Sequence, residues 1–160
     1  MKKTIMILLT AMLAVIISAC AGDKDSTIEV KLSAKEMADQ MLEKVEQPVL
    51  MELSAEELKD LYNIDSAKLE DYSVRVPMMN IKTNEIAIFK VKEEKDVADI
   101  QAALKKRAEN VQKQFEQYLP DQYENAKNYK LITKGNYVLL VISDSADELI
   151  KVYDSFFESK

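Results

Sequence analysis

The sequence predicts an α+β fold: a four-stranded antiparallel sheet made from a ββα-ββα pseudo-repeat and preceded by two N-terminal helices. Three observations predict it. Apolar residues mark two pairs of short strand-like segments, 71–79 with 85–91 and 128–133 with 137–143, each pair joined by turn residues. Each pair runs into a stretch whose apolar residues recur every three or four positions, the spacing of one buried helical face. Ahead of them stand two capping boxes, Ser33 with Glu36 and Ser54 with Glu57, in which each serine and glutamate satisfy the other's free backbone N–H.

The elements follow in order. After Ser33, Met37, Met41, Leu42 and Val45 fall at helical spacing, and Pro48 stops the run. After Ser54, Leu58 and Leu61 make a second, short helical face. In the segment 71–79, Tyr72, Val74, Val76 and Met78 share one face of a strand, and Ser73, Arg75 and Pro77 share the other. Pro77 suggests an edge position, because proline cannot donate to a ladder. The turn Asn80-Ile-Lys-Thr-Asn84 leads into the apolar strand Glu-Ile-Ala-Ile-Phe-Lys-Val at 85–91. From Glu93 to Tyr118 runs a long helix with Val97, Ile100, Leu104, Ala108, Val111, Phe115 and Tyr118 on one face, closed by Pro120. Lys134-Gly135-Asn136 is a tight turn between the third and fourth strands, where glycine supplies a positive φ. Ser143 or Ser145 caps a last helix carrying Leu149, Ile150, Val152, Tyr153, Phe156 and Phe157. The two helices that follow the hairpins are expected on one face of the sheet. The strand from Tyr137 is apolar on both faces, so the N-terminal helices are expected to cover the other.

Composition narrows the chemistry. The chain has 160 residues, one cysteine, two glycines, and no histidine or tryptophan. A Ser-His-Asp or Cys-His nucleophile, a histidine-bound metal and a glycine-rich phosphate loop are therefore excluded. Net charge is −6, which disfavours nucleic acid, whose phosphates are held by lysine and arginine.

Residues 1–20 differ from the rest. Met1-Lys2-Lys3 is positive, Thr4 to Ala19 is uncharged and apolar, and Ile17-Ser18-Ala19 leads to Cys20, the single cysteine. This run resembles the bacterial lipoprotein signal, in which an aliphatic residue and two small residues precede the modified cysteine. The resemblance implies removal of residues 1–19, a diacylglycerol on the Cys20 sulfur, and a tether over 20–27 leading to a single domain over 28–160. Two acyl chains anchor stably where one is marginal. An uncleaved transmembrane anchor and an ordinary secretory signal are the alternatives. Loss of Lys2 and Lys3 with the signal brings the net charge to −8. Ile28, Val30 and Leu32 alternate with charges and suggest a short edge strand at the domain's start.

The remaining clusters are weighed against ordinary structural roles. Met37, Met41, Met51, Met78 and Met79 are assigned to core packing rather than to copper(I) or a partner. The acidic groups Glu56-Glu57, Glu93-Glu94 and Asp144 with Asp147-Glu148 are assigned to helix starts, where the helix dipole favours them. No metal site and no cofactor are expected. Tyr118, Tyr123 and Tyr129 gather around Pro120 and form a candidate interaction surface, or else a loop pinned to the core.

The chain from 33 to 157 resembles a family of small lipoproteins of Gram-positive bacteria that carry a domain of unknown function. The resemblance rests on Asn84-Glu-Ile-Ala-Ile-Phe-Lys-Val, the helix from Val97, Tyr118-Leu-Pro, and Lys134-Gly-Asn-Tyr-Val-Leu-Leu-Val-Ile-Ser-Asp. It implies location and boundaries and brings no activity. The expectation is a non-enzymatic binding or protein-interaction module of the cell envelope, lipid-anchored on the extracytoplasmic face, with an envelope protein or peptide as partner. A lipoprotein that binds a small cationic solute or a peptide is the alternative, and an enzyme of unfamiliar type the third.

Overall fold

The computed structural model describes residues 30–158. The expected lipoprotein signal, Cys20, the whole of the expected tether over 20–27 and Ile28 lie outside the described residues. Among these residues the elements are α1 (Ala34–Lys44), β1 (Leu50–Glu52), α2 (Ala55–Tyr62), β2 (Leu69–Pro77), β3 (Glu85–Val91), α3 (Val97–Phe115), α4 (Pro120–Lys127), β4 (Lys130–Lys134), β5 (Tyr137–Ile142) and α5 (Ala146–Ser155). The strands form one antiparallel sheet of order β1-β2-β3-β5-β4.

The sheet therefore has five strands, not four. The extra strand, β1, pairs Leu50 with Pro77 and Glu52 with Arg75. Pro77 is thus at the end of an inner strand, where the missing N–H is tolerated. The beginning of the described chain is irregular rather than a strand up to Ser33.

Both capping boxes form. The Ser33 and Ser54 hydroxyls accept from the N–H of Glu36 and Glu57, and the two glutamates accept from the serine N–H at 2.8 and 2.9 Å. Those bonds hold the Glu36 and Glu57 carboxyls below their usual range. Helix α2 ends at Asn63, whose φ of 54° turns the chain left-handed, a conformation asparagine tolerates. Gly135 has φ 55° and stands first in the two-residue loop between β4 and β5, as a type II′ hairpin requires.

Each face of the sheet carries a core. On one face, α2 and α3 pack over Val74, Val76, Ala87, Phe89, Val138 and Leu140. On the other, α1 and α5 pack over Ile86, Ile88, Tyr137, Leu139 and Val141. The hairpin-following helices α3 and α5 are thus on opposite faces. This departs from the expected arrangement for a physical reason. A two-fold axis relating two antiparallel ββα units must stand normal to the sheet, and it leaves each face where it is. Helices on opposite faces break that symmetry, so the recurring ββα pattern in the chain is not a symmetric structural repeat. The N-terminal helices divide in the same way, one to each face.

Helix α1 is tied to the sheet edge by charge. Arg75, nearly buried, donates to Asp39 at 2.6 Å and to Glu52 at 3.0 Å, and Lys35 bridges the same two carboxylates. Met37 and Met41 are fully buried, as expected. Met51, Met78 and Met79 are not. They are 39%, 63% and 62% exposed, which overturns their assignment to the core. The last two lie beyond the end of β2, in the exposed hairpin loop.

Candidate functional site

Strand β3 begins and β5 ends at one end of the sheet, and most of the buried polar side chains among the described residues collect there. Thr83, Asn84, Glu85, Gln122 and Ser143 are all buried. A buried polar group costs free energy unless it is hydrogen-bonded, so each needs a partner. Thr83 N–H donates to Gln122 Oε1 at 3.1 Å, and Asn125 Nδ2 donates to Thr83 Oγ1 at 3.1 Å. Gln47 Oε1 accepts from Asn84 Nδ2 at 3.1 Å and from Ser143 Oγ at 2.9 Å. These bonds tie the β3 end of the β2–β3 hairpin to α4 and, through Gln47, to Ser143 just beyond β5.

Glu85 is the deepest charge. It is 1% exposed and points to the same face as Ala87 and Phe89, into the apolar core beneath α3. Its counter-ion is Arg107 of α3. Arg107 Nε donates to both Glu85 oxygens at 3.1 and 3.2 Å, and Nη2 donates to Oε2 at 2.7 Å. The Tyr62 hydroxyl, at the end of α2, donates to Oε1, and its ring lies 5.3 Å below the Arg107 guanidinium. Burial, and then the charge of Glu85, push the Tyr62 hydroxyl well above the usual tyrosine range. Burial works against the Arg107 charge, but the Glu85 carboxylate overrides it and keeps the guanidinium protonated more firmly than usual. Both Glu85 oxygens are engaged, so this carboxylate anchors Arg107 and Tyr62; it is not a free acid or base.

Above this ion pair lies a groove of about 290 Å³. Its walls are Leu61 of α2, Val111, Gln114 and Phe115 of α3, and the hairpin from Val76 to Thr83. Leu61, in the last turn of α2, closes one side of it, and the second half of α3 closes another. Cross-strand partners share a face, so Met51, opposite Val76, lies on the groove side too. Val49 accepts from Met78 N–H and continues the same surface. Leu61, Met78 and Ile81 are 40%, 63% and 42% exposed, and Val49 is 74% exposed.

A second concavity, of about 400 Å³, lies beside α4 and is polar. It is lined by Asp121, Glu124, Asp144 and Asp147 together with Lys130 and amide side chains. The Asp121 carboxyl is held below its usual range, chiefly by the hydrogen bond from Gln122. Among the described residues, no group of three or more acidic, histidine or cysteine side chains is placed to hold a metal ion.

The tyrosines read as a cluster divide. Segment 120–127 is a helix, α4, not a loop, and Pro120 stands at its first turn instead of merely closing the helix before it. Tyr123 and Tyr129 are half-buried against Val111, Phe115, Ala126 and Ile142. Tyr118 is 64% exposed and Pro120 is exposed, between the groove and the acidic cleft in the chain. Sequence reading missed Glu85 and Arg107. A signal was present: Glu85 is in register with Ala87, Phe89 and Val91, and a carboxylate on a core-facing stripe demands a buried counter-charge. Arg107 adjoins the apolar stripe of α3, three residues after Leu104.

Fold and site together define a small α+β domain, with an antiparallel sheet between two helical layers and a groove over a buried ion pair. Residues 43–143 match the family model described as Domain of unknown function (DUF4358), and the chain belongs to that family. The match is narrower than the span 33–157 expected from the sequence, and it contains every groove residue. No curated protein and no solved structure matches the chain.

Proposed function

We propose that this chain is a membrane-anchored extracytoplasmic interaction module that holds an envelope protein or peptide partner in the groove, without catalysis. The observation that carries the reading is the exposed apolar rim of Val49, Met51, Leu61, Met78, Met79 and Ile81 gathered around the groove. Large apolar side chains clustered on an exposed surface mark interaction sites, and methionine adapts its shape to what it meets. The groove is at the small end of ligand pockets, which suits side chains of a partner better than a large ligand. The anchor rests on the pattern of residues 1–20 and on Cys20, and the Gram-positive lipoprotein origin belongs to the same reading. Among the described residues no helix is long and apolar enough to cross a membrane.

Two measurements test this. Intact mass of the native product should show residues 1–19 removed and Cys20 acylated; a free thiol or a retained Met1 refutes the anchor. Affinity capture from solubilised membranes should retain a partner on the wild-type bait and lose it on Met79→Glu. No enrichment, or equal enrichment on both baits, refutes the groove.

The acidic cleft favours the alternative, a small cationic ligand. A thermal-shift series of polyamines and basic dipeptides decides it. Stabilisation abolished by Asp147→Asn together with Asp121→Asn would move the binding function from the groove to the cleft.

A further inference from the structure

The docking reading leaves the chemistry of the partner segment open, and the charges of the groove narrow it. In a chain of net charge −6, the groove is lined by two cations, Lys82 and Arg107, and one anion, Glu85. Glu85 is at the floor with both oxygens taken by Arg107 and Tyr62. Lys82 is exposed and has no carboxylate within 4 Å among the described residues. Asp121 feels it at longer range and accepts from Gln122 instead. Arg107 uses its Nε–Nη2 edge on Glu85. Its Nη1 has no hydrogen-bond partner among the described residues and is not among the buried polar atoms, so it stays reachable from solvent. A guanidinium with one edge fixed and its end free is a preformed receptor for a carboxylate. Asn80 and Gln114 in the walls offer amides to a peptide backbone, which a hydrocarbon chain would leave unpaired.

We infer that the groove takes a polypeptide segment in which apolar side chains flank a carboxylate, the carboxylate meeting Arg107 Nη1 and Lys82 and the apolar side chains meeting Met78, Met79 and Phe115. This rests on the docking reading above. Charge complementarity selects the occupant: a local positive site on a negative protein favours an acidic segment and disfavours a basic one.

The test uses the full chain with ¹³C-labelled methionine methyls, titrated with three peptides of equal length. One has a central aspartate between leucines, one a central lysine between leucines, and one a central aspartate between serines. The Met78 and Met79 methyls should shift with the leucine–aspartate peptide while the buried Met37 and Met41 methyls stay fixed. That peptide should bind about two- to fivefold tighter than its lysine counterpart, the scale of one exposed ion pair. Lys82→Glu, an exposed substitution that leaves the floor intact, should erase or invert that preference. Equal binding of the aspartate and lysine peptides, or an unchanged preference in Lys82→Glu, overturns the inference. So does shift by sodium dodecanoate but by none of the peptides, which would assign the groove to a fatty acid. If affinity capture still depends on Met79 in any of those cases, the docking reading survives and the acidic-segment inference alone fails.

Discussion

Removing Glu85 should destabilise the protein far more than removing Glu85 and Arg107 together. Arg107 has a side chain only 15% exposed, and Glu85 is 1% exposed. Glu85→Ala leaves the guanidinium buried without a counter-ion and leaves the Tyr62 hydroxyl without its acceptor. Breaking a buried pair from one side costs about 3–5 kcal/mol, a large part of the roughly 5–15 kcal/mol that holds a domain folded. Replacing both partners by apolar residues of similar volume, Glu85→Leu with Arg107→Met, removes the charge and its desolvation together. That double variant should lie within about 1–2 kcal/mol of wild type or be more stable than it. Tyr62→Phe leaves the guanidinium fork intact and removes one hydrogen bond to a charged group, about 1.5–3 kcal/mol. Equilibrium urea unfolding followed by circular dichroism measures all four proteins, with the slope checked for two-state behaviour. A double variant as unstable as Glu85→Ala, or a Glu85→Ala protein within about 1 kcal/mol of wild type, refutes the view that this pair is one buried unit.

Gly135→Ala should lower stability by about 1–2 kcal/mol through backbone strain alone, because a Cβ there meets no atom within 4 Å while φ stays at 55°; urea midpoints check it, and no change would mean the turn relaxes freely. Stability should fall as pH rises above about 10, the ordinary tyrosine value. Burial pushes the Tyr62 and Tyr153 hydroxyls upward, so the unfolded chain releases their protons first. The unfolded state then binds fewer protons than the folded one, and each such tyrosine lowers stability by roughly 1 kcal/mol per pH unit until its folded value is reached. Thermal melts between pH 8 and pH 11, in wild type and Tyr153→Phe, read this out, and a flat wild-type profile contradicts it. Dilute peroxide should convert Met78 and Met79 to sulfoxides well before Met37 and Met41, since exposure governs access; peptide mass mapping over time follows the order.

Much of the local structure was legible in the residues. Ser33-Glu36 and Ser54-Glu57 fixed two helix starts and Gly135 fixed a hairpin; the long helix read over 93–118 is there but runs only from Val97 to Phe115, and Tyr118, expected on its buried face, lies beyond it and is exposed. What escaped has identifiable causes. Strand β1 is three residues long, too short for any alternation to show. Helix α4 buries only Gln122 and Ala126, so it carries almost no apolar period, and its Pro120 reads as a stop although it is also a start. The doubly apolar strands at 85–91 and 137–142 required cover on both faces, but which helix goes to which face is decided by tertiary packing. The candidate site was the least legible part. Met78 and Met79 look like core residues in sequence, but β2 ends at Pro77 and both stand exposed in the hairpin loop beyond it.

The most direct test of the proposed role is photocrosslinking in intact cells from a benzophenone side chain placed at position 79 on the groove rim, with position 151 on α5 as control. Lys151 is exposed on the opposite face of the sheet. The groove account predicts a discrete adduct from position 79 that Lys82→Glu weakens and that position 151 does not give. The same adducts from both positions, or none from position 79 in cells that hold the protein at normal abundance, would contradict it.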